Sequence, residues 1–229
     1  MRRSWAAVAA IVGLLVAGEA PATAQEASSG PSTSSASPGS PASPTPSASP
    51  AESTAPVVQL ARFDDPVGDQ EGGVGPDIVG VTVSQPDEGS LSFSIAFAED
   101  APLTYDLETW STDMLAVIMD THSNAFVELP DGGMPAHYFI GVHGATLPDE
   151  VETGAPMWRA TDGDGELLWN VVDVAVEGTT ITLTVDLELL GDPERLYFQV
   201  GAGTEGQEET SGSDGCPDEQ PGEIVLAPG

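Results

Sequence analysis

Leu91-Ser92-Phe93-Ser94-Ile95-Ala96-Phe97-Ala98 is the stretch that decides how the rest of the chain reads. Large apolar side chains hold every odd position and small ones every even position. Neighbouring side chains of an extended strand point to opposite faces, so this period of two puts Leu91, Phe93, Ile95 and Phe97 on one buried face. A helix would need apolar residues three and four apart instead. The alternation returns at Ile181, Leu183, Val185 and Leu187, set against Thr182, Thr184, Asp186 and Glu188. Val79, Val81 and Val83 are expected to share a face, and so are Leu196, Phe198 and Val200. Residues 115–119 are apolar at both parities, as in a central strand covered on both sides.

Turn chemistry separates these runs. Pro86-Asp87-Glu88-Gly89, Asp131-Gly132-Gly133, Asp162-Gly163-Asp164-Gly165 and Glu177-Gly178 each combine residues that favour reversals. No stretch carries a sustained helical apolar period. Several short strands with regular turns and no alternation with helices predict an all-β fold, an antiparallel β-sandwich of jelly-roll type, with a barrel as the second arrangement.

Outside the strands the composition changes. Arg2 and Arg3 precede an uncharged, mostly apolar run over residues 5–18, and Ala22-Thr23-Ala24 supplies small residues before Gln25. That order predicts a signal peptide, residues 1–24, and export of the mature chain. Fourteen residues fall short of the ~20 that span a bilayer, so no transmembrane segment is expected after cleavage. Residues 25–56 are almost entirely Ser, Pro, Ala, Thr and Gly. With no large apolar side chains to bury, they are expected to form a disordered, semi-extended linker. Residues 57–229 are then one β-domain, large enough to bury a core. Cys216 is the one cysteine, which excludes an internal disulfide, and an inert exposed thiol is expected there.

The full chain has 37 Asp and Glu against 5 arginines and no lysine, a formal charge of −32. Removal of Glu19, Arg2 and Arg3 with the signal peptide makes the mature chain −33. Such a polyanion repels phosphate backbones and anionic lipid, which excludes nucleic acid and an acidic membrane surface as leading partners.

Several segments, in order, resemble a family of secreted β-sandwich domains. Asp64-Asp65-Pro66-Val67-Gly68-Asp69, then Gly75-Pro76-Asp77-Ile78 running into Val79-Gly80-Val81-Thr82-Val83, looks like the family's opening. Val117-Ile118-Met119-Asp120 with Asn124 resembles its strand ending in Asp-x-Asp-x-Asn, although His122 stands where a second aspartate belongs. Tyr138-Phe139-Ile140-Gly141-Val142, two tryptophans a hairpin apart, and Leu189-Leu190-Gly191 before Arg195-Leu196-Tyr197-Phe198 also fit. These are features of domains similar to the family 9 carbohydrate-binding modules and DOMON domains, over roughly residues 57–204. The resemblance implies a non-catalytic module at the cell envelope or outside it, with carbohydrate or another envelope component as partner.

Two sets of residues carry candidate chemistry. Asp64, Asp65, Asp69 and Asp77 crowd one glycine-containing loop, and Asp120, Asn124 and Asp131 offer a second. Hard oxygens on flexible loops suit calcium. The other reading of these aspartates is that they cap turns and carry solubilising charge. Trp158, Trp169 and Trp110 are the candidate sugar platforms, since sugar C–H faces stack on indoles while hydroxyls reach polar neighbours. Alternatively they fill the core. Enzymatic motifs are missing: there is no Gly-x-Ser-x-Gly, no His-Glu-x-x-His and no phosphate-cradling glycine loop. His137 and His143, six apart on one strand face, could join His122 at a transition metal or, as the resemblance to DOMON domains implies, a haem; the other reading is that all three are plain surface or loop residues. The reading is a non-catalytic, carbohydrate-binding, calcium-stabilised secreted module. The alternative is a structural or adhesive acidic envelope protein without a sugar ligand. Exposure of the tryptophans separates the two.

Overall fold

The computed structural model describes residues 57–70, 75–98, 103–106, 111–121, 137–161, 164–205, 212–218 and 220–226. The signal peptide, the 25–56 linker, Trp110, His122, Asn124 and Asp131 lie outside the described residues. Among those residues no helix is long and apolar enough to cross a membrane.

The described strands are β1 (Val58–Asp64), β2 (Ile78–Gln85), β3 (Ser90–Phe97), β4 (Tyr105–Asp106), β5 (Ser111–Asp120), β6 (Tyr138–His143), β7 (Ala155–Thr161), β8 (Asp164–Glu177), β9 (Thr180–Asp186), β10 (Arg195–Glu205), β11 (Gly212–Cys216) and β12 (Gly222–Val225). A seven-residue helix, α1 (Leu147–Thr153), precedes β7, and a 3₁₀ turn, Leu187–Leu190, follows β9. All strands join one antiparallel sheet in the order β1-β2-β3-β9-β8-β7-β6-β5-β10-β11, with β4 on β5 and β12 on β10. The antiparallel all-β fold is thus as the periodicity predicts. Its two walls are parts of a single sheet that curls into a nearly closed barrel.

The curl is visible in the core. Phe93 of β3 meets Phe198 of β10 edge to face at 5.3 Å, though these strands are not neighbours in the sheet. Phe63 of β1 meets the same Phe198 ring at 5.4 Å. Edge-to-face pairs add about 0.5–1.5 kcal/mol beyond the area they bury. Around them Leu91, Phe93, Ile95, Ile181, Leu183, Leu196, Phe198 and Val200 are all fully buried in one cluster. At the seam, where the sheet's ends approach, the Ile78 amide of β2 donates to Asp214 Oδ2 of β11 at 2.6 Å. That side-chain bond joins residues 136 positions apart.

Three local expectations change. Val79 is not on the core face: β2 bulges between Ile78 and Gly80 against β3, so Ile78 takes the inward place ahead of Val81 and Val83. The helix α1 was not legible because seven residues are too few to display a 3.6-residue period. Ser92, on the face away from Phe93, is buried too, and its hydroxyl pairs with that of Thr184 at 2.7 Å across β3 and β9. Residues 115–119 are buried at both parities, as expected. In β6, Ile140 and Val142 enter the core, while Phe139 is buried outside the central cluster.

Candidate functional site

The outward side of β6, β7 and β8 carries a pocket of about 240 Å³ beside α1. Strand alternation selects its lining. Ile140 and Val142, Ala155 and Met157 point into the core, so Phe139, Gly141 and His143, with Pro156 and Trp158, face the pocket. Leu167, Trp169 and Asn170 complete that wall from β8, and Thr146, Asp149, Glu150 and Thr153 come from α1 and its N-cap. The register explains the exposure of Trp169. Ala155 pairs with Val172 and Met157 with Leu168, so four steps on β8 match two on β7. The bulge puts Asn170 at φ 57° and turns Trp169 outward, 63% exposed. Trp158 is half-buried and lies across Gly165, where any Cβ would collide with its indole ring.

Two polar atoms in this apolar wall have no hydrogen-bond partner. Glu150, 8% exposed, receives the Thr146 hydroxyl at Oε1 (3.1 Å), but its buried Oε2 has no partner. Burial raises the Glu150 carboxyl to about 7, with Asp149 adding to the rise and the Thr146 hydroxyl and the His143 backbone opposing it. His143 Nε2 is likewise buried and unpartnered, and burial lowers the imidazole below its ordinary range. Both groups are thereby biased toward their neutral forms near neutral pH, in which a carboxylic acid donates one bond and imidazole donates one and accepts one.

At the seam, five aspartates gather. Ligand oxygens of Asp65, Asp69 and Asp218 lie within 4.8 Å of one another, and so do those of Asp69, Asp77 and Asp214. Asp77 Oδ2 accepts the Gly68 amide at 2.8 Å, and Asp214 accepts the Ile78 and Gly215 amides. Gly75 lets this loop lie on β10. It sits at φ +110°, and a Cβ there would fall 2.6 Å from Thr204 Oγ1. Burial, then the charges of Asp214, Asp218, Asp69 and Asp77, push Asp65 up to about 8. Burial, followed by Asp69 and Asp77, raises Asp214 to about 6 against its two amide bonds. Cys216, buried beside them, is pushed up to about 12 by burial and by Asp65, Asp214 and Asp218. The thiol is enclosed, where an exposed one was expected.

The other predicted residues fall elsewhere. Asp64 leaves the cluster: it is exposed and takes Arg62 Nε at 2.9 Å and Nη2 at 2.8 Å, because adjacent extended residues point oppositely. Asp120 is buried at the end of β5, where it accepts the His137 amide at 3.0 Å. Asp120 pairs with Tyr197 and Asp214 with Ala202, five positions apart on β10, or about 17 Å at ~3.4 Å per residue. Asp120 and Asp214 therefore do not share an ion. His137 and His143 sit six residues, about 20 Å, apart and do not converge. Asp214, Asp218 and Glu150 were missed. Pro148 at the first turn was the one local hint of the helix that carries Glu150. No family model matches the chain, and comparison with curated proteins returns no match.

Proposed function

We propose that the chain is an exported, non-catalytic module that holds a carbohydrate in the pocket formed by α1, β6, β7 and β8. The observation that carries this reading is the combination of Trp169, 63% exposed beside Trp158, with buried polar atoms that lack partners in the same wall. A sugar offers both complements. Its C–H face stacks on an indole, and a turn of the Glu150 and His143 side chains toward the pocket would bring their unpartnered atoms to its hydroxyls. The volume is just below the ~300–1,000 Å³ of typical small-molecule sites, which suits a terminal or single sugar residue over a long chain. The likeness to family 9 carbohydrate-binding modules and DOMON domains supports the same class of ligand. Export rests on the N-terminal pattern, and intact-mass analysis of secreted material should give a chain beginning at Gln25.

Affinity electrophoresis against soluble glucans, xylans, mannans and chitin oligomers tests the pocket, with tryptophan fluorescence as a second readout. At least one glycan should retard the protein, and Trp169→Ala should abolish the retardation. If no glycan binds at millimolar concentration, the sugar reading fails and the structural, adhesive reading replaces it.

A further inference from the structure

We propose that Asp65, Asp69, Asp77, Asp214 and Asp218 bind calcium, and that the ion clasps the two ends of the curled sheet. The two aspartate triads share Asp69, so the oxygens form one continuous cluster. Proximity alone would not make a site. A second observation is that Asp77, 8% exposed, has an Oδ1 with no hydrogen-bond partner, although its Oδ2 is held by Gly68. Asp65 Oδ2 and Asp69 Oδ1 are also buried without partners. Unmet acceptors inside a fold cost free energy unless a donor or a cation meets them.

Among the described residues no arginine is paired with the cluster. The chain contains no lysine. Arg62 pairs with Asp64, Arg159 with Glu166 and Arg195 with Glu223, all away from the cluster. Carboxylates as the sole charged ligands, drawn from a loop and a distant strand, suit calcium's irregular shell of six to eight oxygens at about 2.3–2.6 Å. Magnesium needs a near-ideal octahedron and keeps its water more tightly.

The ligands' places in the fold give the ion its role. Asp65, Asp69 and Asp77 belong to the connection from β1 to β2, at one end of the sheet order, and Asp214 lies on β11 at the other end. Among the described residues no backbone ladder closes this seam; side chains cross it, Asp214 accepting the Ile78 amide and Cys216 the Val81 amide. A cation bound by both sides adds a crosslink that spans most of the chain. It would bind the folded state alone, because the unfolded chain does not bring these residues together.

The test uses the secreted chain, stripped with chelator and titrated calorimetrically with calcium, magnesium and zinc. Sodium controls are run at matched ionic strength. Calcium should bind at a defined stoichiometry and at least tenfold more tightly than magnesium. Asp77→Asn and, separately, the exposed-side Asp218→Asn should each weaken calcium at least tenfold, while Asp64→Asn should not. Asp218→Asn keeps the test valid if Asp77→Asn misfolds. Hydrogen exchange supplies the clasp readout: calcium should slow exchange of the Ile78 and Gly215 amides more than that of β8 and β9 amides. Wild-type affinity in both cluster variants, zinc binding tighter than calcium and lost in Cys216→Ser, or uniform protection across the sheet would each overturn the proposal. None of these outcomes bears on the tryptophan pocket, which lies on other strands.

Discussion

The pocket beside α1 and the seam between the sheet's ends both hold buried oxygens without partners, yet they are built in opposite ways. The pocket is local: all its lining residues fall within positions 139–170, on three consecutive strands and one helix. Its polar wall holds one buried carboxyl, Glu150, which the Thr146 hydroxyl bonds. The seam is non-local, joining residues 65–77 to residues 214–218, and its polar groups are carboxylates within 4.8 Å of one another. Isolated buried acids are neutralised by taking a proton, whereas crowded ones can be neutralised by a shared cation. The first arrangement suits a neutral, hydroxyl-bearing ligand and the second suits an ion. The contrast also assigns different jobs, since a local site can be altered without opening the sheet and the seam cannot.

The largest expected effect tests that last distinction. Phe198 is fully buried and meets both Phe63 and Phe93, so it ties β10 to the strands on the far side of the barrel. Phe198→Ala should cost about 3–5 kcal/mol in urea unfolding, through lost burial and the cavity left behind. A cost below ~1 kcal/mol would mean that the two walls do not pack as described.

A somewhat smaller effect probes the pocket's acid. The folded Glu150 carboxyl holds its proton up to about pH 7, against an ordinary 4.5. Between those values the folded state binds more protons than the unfolded state, so this group's contribution to stability falls as pH rises from about 4.5 to about 7 and is constant above. Each unit corresponds to ~1.4 kcal/mol, so Glu150→Gln should gain up to about 3 kcal/mol relative to wild type at pH 8 compared with pH 4. His143 acts in the opposite direction. Its lowered pKa means stability is lost as pH falls below about 6.5, in both proteins alike. A difference between the two proteins that stays constant from pH 4 to 8 would show that Glu150 is solvated.

What the sequence discloses follows the same division. Strand identity was legible because one buried face imposes a period of two, and Leu91, Phe93, Ile95 and Phe97 obey it throughout. Trp158 and Trp169 were legible as neighbours because a hairpin sets their spacing and brings both to one pocket wall. A bulge breaks the period locally without a composition signal, which is why Val79 was placed on the wrong face. Asp214 and Asp218 could not be joined to Asp77 by spacing, since only closure of the sheet brings them together. Asp64 stood out by its company in the loop, but its neighbour Arg62 and the strand's parity take it outside. The alternation marks only the face opposite Ser92 as buried. The bond from Ser92 to Thr184 depends on the register of β3 with β9, so Ser92→Ala should cost about 1 kcal/mol, measured against Ser92→Thr as a hydroxyl-retaining control. A loss below a few tenths would mean that water replaces the bond.

The smallest expected change in stability is the one that most sharpens the contrast. Trp169 is mostly exposed, held outward by the bulge at Asn170, and belongs to no core cluster. Truncating it removes little buried area, so Trp169→Ala should shift folding free energy by no more than about 0.5 kcal/mol. Its indole lines the pocket wall, where a sugar stacked on it would cover the exposed face. The same variant should therefore lose at least tenfold in affinity for whichever glycan the wild type retains, while calcium binding at the seam stays at wild-type strength. Phe198→Ala should show the reverse pattern when assayed in the same melts: a large loss of stability, with pocket binding intact wherever the protein remains folded. If Trp169→Ala destabilises the protein by several kcal/mol, its ring is part of the core under solution conditions, and the division between a local binding face and a structural seam is wrong.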